Sequence, residues 1–263
     1  DIISYSLDSE LILANILNST REKILTSLDK KIAKQTFNKF KKQINRRKLN
    51  EPVAYIINKK FFWKYEFYVN KNVLIPRPDT EIIIEEVLKI TKEKTTKKLL
   101  DVGTGSGCLI ISILNERPNF YGKAIDISKK ALNVAKYNAK MHHLENKISF
   151  INIDIDKFND NKYDLIISNP PYINRNNLMR LEDNVKLFEP HLALEAGVDG
   201  LREIKKVIKK SKNLLKKNGK LIFEIGINQL NKSKNILTKN GFYINKVSKD
   251  ISSIPRVIVC TKL

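Results

Sequence analysis

A strand-like run, Asp164-Leu165-Ile166-Ile167-Ser168, with an apolar centre fit for burial, stops at Asn169-Pro170-Pro171-Tyr172. Two consecutive prolines cannot continue a central strand, so the turn is expected at a strand's carboxyl end. In an open parallel sheet that edge is where ligands bind. A planar amide or aromatic amine nitrogen is a poor nucleophile because its lone pair is delocalised. Asn169 offers a side-chain carbonyl, and Pro170 a main-chain carbonyl on a stiff backbone. Together they can accept both N–H bonds of an –NH2 group, orient it, and favour the positive charge that develops as it attacks an electrophilic carbon. Much of the rate would come from in-line positioning and little from a strong base. Tyr172 is expected to add a flat apolar wall beside the planar substrate. The plain alternative is a proline-rich loop with Tyr172 packed on it.

A second constellation lies upstream. Leu99–Val102 runs into Gly103-Thr104-Gly105-Ser106-Gly107, and an apolar segment follows. Glycines let the backbone turn sharply and let a ligand approach without Cβ contacts. A dinucleotide fingerprint would carry its third glycine at the sixth position, where this chain has Cys108, so a pyrophosphate cofactor is disfavoured. Asp126 closes the next strand, where an acceptor can hold ribose hydroxyls. These features suit S-adenosylmethionine: ribose on Asp126, the amino-acid portion near the glycine turn, adenine against apolar neighbours. A tight strand-to-helix turn with Asp126 as a helix cap would account for the same residues more simply.

The elements that must position these residues are legible in part. Residues 7–50 read as helices, with apolar stripes at Leu7, Leu11, Ala14 and Leu17, at Ile24–Leu28 and at Phe37–Ile44. Phe61–Val69 is aromatic and β-prone. Asn70-Lys71-Asn72 then predicts a hairpin turn into Val73–Ile75, because Asn tolerates left-handed conformations. Pro76-Arg77-Pro78 makes a stiff connector, after which Asp79 or Thr80 is expected to cap a helix reaching about Thr91. Beyond Lys98, strands alternate with helices: Lys98–Val102, Gly107–Glu116, Tyr121–Asp126, Ser128–Met141, Ile148–Ile153 and Tyr163–Ser168. Glu203–Leu215, Lys220–Ile225, Asn228–Asn240, Phe242–Val247 and Val257–Thr261 complete the pattern. Such alternation predicts a mostly parallel sheet covered on both faces.

Composition narrows the function classes. The 263 residues are 42% hydrophobic, enough for a real core, and no apolar run approaches the ~20 residues that span a bilayer. The net charge of +21 could mark a polyanion partner. The lysines, however, are scattered over nearly every segment and are not interleaved with aromatics, which points to compositional drift and disfavours nucleic acid. Cys108 and Cys260 form no framework of staples, and His142, His143 and His191 have no ligand-like spacing. The expectation is no metal and a reducing, cytoplasmic setting. The chain opens on Asp1 without a basic-then-apolar leader, so its true start is expected upstream.

Taken together, these motifs resemble the S-adenosylmethionine-dependent methyltransferases that act on amino nitrogens. Within them the chain is similar to the release-factor glutamine methyltransferases, the HemK/PrmC type. The resemblance runs nearly end to end. It is carried by Glu51-Pro52, Phe62-Trp63, Leu74–Glu81, Asp101–Gly107, Ser168–Tyr172, Phe188-Glu189-Pro190 and Gly197–Gly200. Leu74–Glu81 discriminates, since the glycine turn and Asn-Pro-Pro-Tyr also occur in DNA and RNA adenine methyltransferases.

The resemblance implies an α/β protein: a Rossmann-like class I methyltransferase domain (80–263), a small helical N-terminal substrate-recognition domain (1–60), and a β-hairpin bridge with connector (61–79). It implies methylation of the glutamine side-chain amide in the Gly-Gly-Gln motif of peptide chain release factors, by a monomer. Gly103, Thr104, Gly105, Ser106, Gly107, Asp126, Asp154, Ile155 and Asn169 carry over as cofactor contacts. Asn169, Pro170, Pro171 and Tyr172 carry over as the glutamine site, with Asn169 and Pro170 catalytic. Arg77 and Glu81 are expected to anchor the connector over the cofactor mouth, or else to form an ordinary surface ion pair. Three departures stand out: Ile155 where an aromatic is common, Asn58 and Lys60 in place of a glycine and an acidic residue, and a first helix only partly present before Leu7. An adenine N6-methyltransferase is the main rival, although no separate target-recognition domain fits in the chain. A non-catalytic binding module and a dehydrogenase are more distant.

Overall fold

The computed structural model describes residues 4–27, 29–160 and 162–263. Asp1 and Leu28, named above, lie outside these. Among the described residues, four helices come first: α1 (Tyr5–Ile16), α2 (Arg21–Leu25), α3 (Lys34–Lys48) and α4 (Val53–Ile57). The inward face of α1 differs from the expected stripe. Leu7 and Leu17 are exposed, whereas Ile12, Ala14 and Asp8 are buried. The reason is tertiary: Asp8 pairs with Arg47 of α3 at 2.7 Å, which turns that side of α1 toward its neighbour. Phe37 of α3 is likewise exposed.

The hairpin lies earlier than expected. Strands β1 (Lys59–Phe62) and β2 (Tyr65–Tyr68) pair with Phe62 opposite Tyr65, so the turn is Trp63-Lys64 and not Asn70–Asn72. Trp63 adopts φ +57°, a conformation that costs a bulky residue energy unless its surroundings fix it. Here they do, because its N–H donates to Glu81 at 2.7 Å and its indole N–H to Glu116 at 2.9 Å. Asn70 does form a turn, accepting the N–H of Asn72 on its side chain, but the turn feeds the connector and not a paired strand.

A short 3-10 turn, Pro78–Thr80, leads into α5 (Glu81–Ile90). Thr80 makes no cap bond, contrary to expectation; its hydroxyl is drawn to a carboxylate described below. The chain continues through β3 (Lys98–Val102), α6 (Cys108–Glu116), β4 (Tyr121–Asp126), α7 (Lys129–Met141), β5 (Ile148–Asn152) and β6 (Tyr163–Ser168). After α8 (Arg175–Leu178) and α9 (Asp183–Phe188) come α10 (Arg202–Leu214), β7 (Leu215–Glu224), α11 (Leu230–Lys239), β8 (Phe242–Lys249) and β9 (Pro255–Lys262). Strand β7 begins earlier than the sequence pattern suggests.

Among the described residues, seven strands form one sheet in the order β5-β4-β3-β6-β7-β9-β8, parallel from β5 to β7 and antiparallel beyond. Period-two alternation splits its core in two. Leu99, Leu165, Ile167, Ile222 and Val259 face α5 and α6 residues such as Ile84 and Ile110. Leu100, Ile166, Leu221, Phe223 and Ile258 face α10 and α11 residues such as Ile204, Ile208 and Leu237. Both faces are therefore helix-covered, as a buried parallel sheet requires. None of the described helices is long and apolar enough to cross a membrane.

Candidate active site

The chain winds outward from β3 to β5 and returns to β6 on the other side of β3, which makes the β3–β6 junction a topological switch point. Register then decides what meets there. Val102 lies opposite both Ile125 and Ser168, so the glycine turn emerges between Asp126 and Asn169. The Ser168 hydroxyl donates to the Val102 carbonyl at 2.8 Å and ties the two strand ends together. Above them opens a cavity of about 310 Å³, within the range of small-molecule sites.

Gly103, Gly105 and Gly107 all have positive φ. At Gly103 and Gly105 an added Cβ would meet nothing within 4 Å, so glycine is demanded there by backbone conformation, and the space above is open to a ligand. At Gly107 a Cβ would press on Ile111 and Ala135, and the constraint is packing between α6 and α7. Asp126 accepts the Gly105 N–H at 3.0 Å on one oxygen and the Ser128 N–H at 2.8 Å on the other. Each carboxylate oxygen keeps a further lone pair for a ligand hydroxyl. Burial raises the Asp126 pKa, while these two N–H bonds pull it back.

All the expected cofactor residues line the cavity or its glycine turn, with differing roles. Gly103, Thr104, Gly105, Ser106, Asp126, Asp154, Ile155 and Asn169 face it; Gly107 does not. The Thr104 hydroxyl is turned inward, donating to Asp101 at 2.6 Å. The Ser106 carbonyl is bound to Asn138 at 2.8 Å. Asp154 accepts the Asp156 N–H and lies 3.5 Å from Lys206, while Ile155 offers a buried aliphatic wall.

At the mouth, Asn169, Pro170 and Pro171 line the cavity and Tyr172 does not. Tyr172 packs against the apolar cluster under α10, and its hydroxyl donates to Glu224 at 3.1 Å. The Asn169 amide nitrogen donates to the Thr80 hydroxyl at 2.9 Å, and Thr80 donates to the other oxygen of Glu224 at 2.6 Å. Glu224 ends β7 and is 1% exposed.

Arg77 and Glu81 do not pair with each other. Arg77 lines the cavity and bonds the buried carboxylate of Glu189, which also accepts the Ile75 N–H at 3.2 Å. Glu81 holds the hairpin through Trp63. Reasoning from sequence missed Thr80, Glu189 and Glu224 as parts of the site. The one local sign was an acidic residue ending an otherwise apolar strand, Leu221-Ile222-Phe223-Glu224.

Two family models match the chain: PrmC N-terminal domain over residues 1–57 and Methyltransferase small domain over residues 79–185. A bifunctional methyltransferase of Rickettsia typhi is 38% identical over 96% of this chain, which spans about half, 52%, of that relative's length. A methyltransferase structure from Pyrococcus furiosus covers 84% of this chain and 98% of its own, with a TM-score of 0.57 at 15% identity. That likeness bears on fold, which is Rossmann-like and of the class I methyltransferase type. A release factor glutamine methyltransferase of Caulobacter vibrioides is 36% identical over 258 residues, 98% of this chain and 89% of that protein. On this identity over nearly the whole length of both chains, with the PrmC N-terminal and methyltransferase domain matches beside it, the chain belongs to the release factor glutamine methyltransferase family.

Proposed function

We propose that this chain transfers a methyl group from S-adenosylmethionine to the side-chain amide nitrogen (N5) of the glutamine in the Gly-Gly-Gln motif of peptide chain release factors. In this reading it acts as a cytoplasmic monomer. Residues 1–60 recognise the substrate, 61–79 bridge, and 80–263 carry the chemistry. Family membership supports the reading, and one observation carries it. The nitrogen of Asn169 is committed to Thr80, which leaves its carbonyl oxygen as the atom available to an incoming N–H.

The residues present fit the cofactor. Open space above Gly103 and Gly105 suits close approach of its amino-acid end, Asp126 suits the ribose hydroxyls, and Ile155 with Asp154 suits the adenine side. When bound, S-adenosylmethionine supplies an electrophilic methyl on a sulfonium. The protein's own task is to hold a weak nucleophile in line. The Asn169 side-chain carbonyl and the Pro170 main-chain carbonyl accept the two amide N–H bonds, fix the plane of the amide, and stabilise the charge that grows on its nitrogen. Pro171 stiffens the turn that presents both acceptors.

The test is transfer of labelled methyl from S-adenosylmethionine to a purified release factor, beside a Gln→Ala variant of its Gly-Gly-Gln loop, with DNA and RNA offered in parallel. Label on the normal factor alone is the expected result. Label on nucleic acid and on neither factor would move the chain to adenine methylation.

A further inference from the structure

Glu224, 1% exposed, is one of the most deeply buried acidic groups near the cavity, yet it does not line it. It ends β7 beside Asn169, since Ser168 and Phe223 are register partners on β6 and β7. Its carboxylate accepts two hydroxyl protons, from Thr80 at 2.6 Å and from Tyr172 at 3.1 Å. Two segments that shape the mouth, the end of the connector and the Asn-Pro-Pro-Tyr turn, therefore converge on this one carboxylate at the end of β7.

Proton counting gives the network a direction. A hydroxyl has a single proton. With Thr80 donating to Glu224, the Thr80 oxygen can only accept, and the Asn169 group beside it must be the –NH2 end of the amide. Were the Glu224 oxygen to carry a proton, it would donate to Thr80, and the Thr80 proton would turn toward Asn169 and call for the carbonyl end. The amide would then present nitrogen to the substrate, a donor facing the N–H groups of another donor.

Resting on the methyl-transfer reading above, we propose that Glu224 is a positioning residue. As a carboxylate acting through Thr80, it sets the flip of the Asn169 side chain and so keeps an acceptor, and not a donor, before the substrate amide. The groups that face Glu224 are Thr80 and Asp79 from the 3-10 turn, Tyr172 from the loop after β6, and Arg256 from β9. Burial pushes its carboxyl up to about 7. The Thr80 and Tyr172 hydrogen bonds and the Arg256 charge pull it down, and Asp79 pushes it further up. The flip is thus set by a group that titrates near neutrality.

The test uses the full chain, with Glu224→Gln, Thr80→Val and Thr80→Ser. Glu224→Gln and Thr80→Val are expected to lower kcat by about tenfold or more, while the calorimetric affinity for S-adenosylmethionine stays within about threefold. Thr80→Ser, which restores the hydroxyl, is expected to exceed Thr80→Val by at least about fivefold. Wild-type kcat should rise with pH as Glu224 loses its proton. In protein carrying 15N-asparagine, the side-chain resonance of Asn169 should shift over the same pH range, and that shift should vanish in Glu224→Gln. A Glu224→Gln enzyme with kcat within about twofold of wild type, Ser and Val at Thr80 performing alike, or a wild-type Asn169 resonance indifferent to pH would each overturn the proposal. If Glu224→Gln does not fold, the Thr80 pair decides. If no release factor is methylated by the wild type, the function fails, and the Asn169 resonance still decides the network.

Discussion

Asn138 of α7 completes the outer edge of the hairpin at Tyr68. Its side-chain oxygen accepts the Tyr68 N–H at 2.8 Å, and its nitrogen donates to the Tyr68 carbonyl at 3.0 Å, as a neighbouring strand would. The same nitrogen reaches the Ser106 carbonyl at 2.8 Å. One fully buried amide thus locks the bridge to the glycine turn.

Replacing that amide should loosen both. Asn138→Ala leaves a donor and two acceptors without partners in a buried place, at a cost of about 3 kcal/mol. Urea denaturation should show the midpoint shifted down and the unfolding free energy reduced by that amount, and affinity for S-adenosylmethionine should fall with it because the turn loses its tether. An unchanged midpoint would mean that water replaces the side chain.

Asn169→Ala separates chemistry from binding. Loss of one amide-orienting acceptor should lower kcat on the order of 100-fold, about 3 kcal/mol by analogy with oxyanion-hole donors. Cofactor affinity should scarcely change, since Gly103, Gly105 and Asp126 remain. Turnover close to that of wild type would remove Asn169 from the mechanism.

Two glycines with similar backbone angles should behave differently. Gly200 has φ +69°, and a Cβ there would sit 2.6 Å from the Tyr172 carbonyl and 2.8 Å from the Gln229 amide nitrogen that bridges the same two loops. Gly200→Ala must displace the Asn-Pro-Pro-Tyr turn, so it should lower both stability and kcat. Gly241 has φ +78° with nothing within 4 Å. Gly241→Ala should cost only the left-handed penalty of about 1–2 kcal/mol and leave kcat intact. Paired melting curves and rate measurements on the two variants distinguish them.

Stability should fall as pH rises through neutrality. Burial pushes the Asp101 carboxyl up to about 7, with Asp126 nearby adding to the rise and the Thr104 hydrogen bond opposing it; Glu224 is also pushed up to about 7. A carboxyl whose native pKa is raised binds its proton more tightly when folded. Its contribution is full below the unfolded value of about 4 and is lost as pH climbs to the native one. Glu86 runs the other way: burial pushes it up, but Lys246 and Lys89 outweigh that and hold it below its ordinary value, so its contribution is lost in acid. Tm should therefore decline between pH 5 and pH 8, and Asp101→Asn should flatten the decline. A flat profile in the wild type would show that these carboxyls are not protonated in the native state.

Sequence alone determined the alternation of strands and helices after Lys98, the glycine turn, Asp126 at the end of β4 and Asn169 at the end of β6. Each is written in local periodicity or in residues with narrow backbone demands, and parallel pairing then sets strand ends side by side. Tertiary structure alone decided the rest. The hairpin turn falls on Trp63-Lys64 because Glu81 and Glu116 hold it there, although Asn70–Asn72 carries the better local turn residues. Thr80 meets Glu224 across 144 residues, Asn169 meets Thr80 across 89, and Arg77 meets Glu189 across 112. Hydrogen bonds of that range leave no period in the sequence, because a lone Glu or Thr finds its partner only after the sheet has closed around it. The Tyr172 hydroxyl is placed for the same reason: a buried carboxylate, itself brought there by β7, offers it an acceptor.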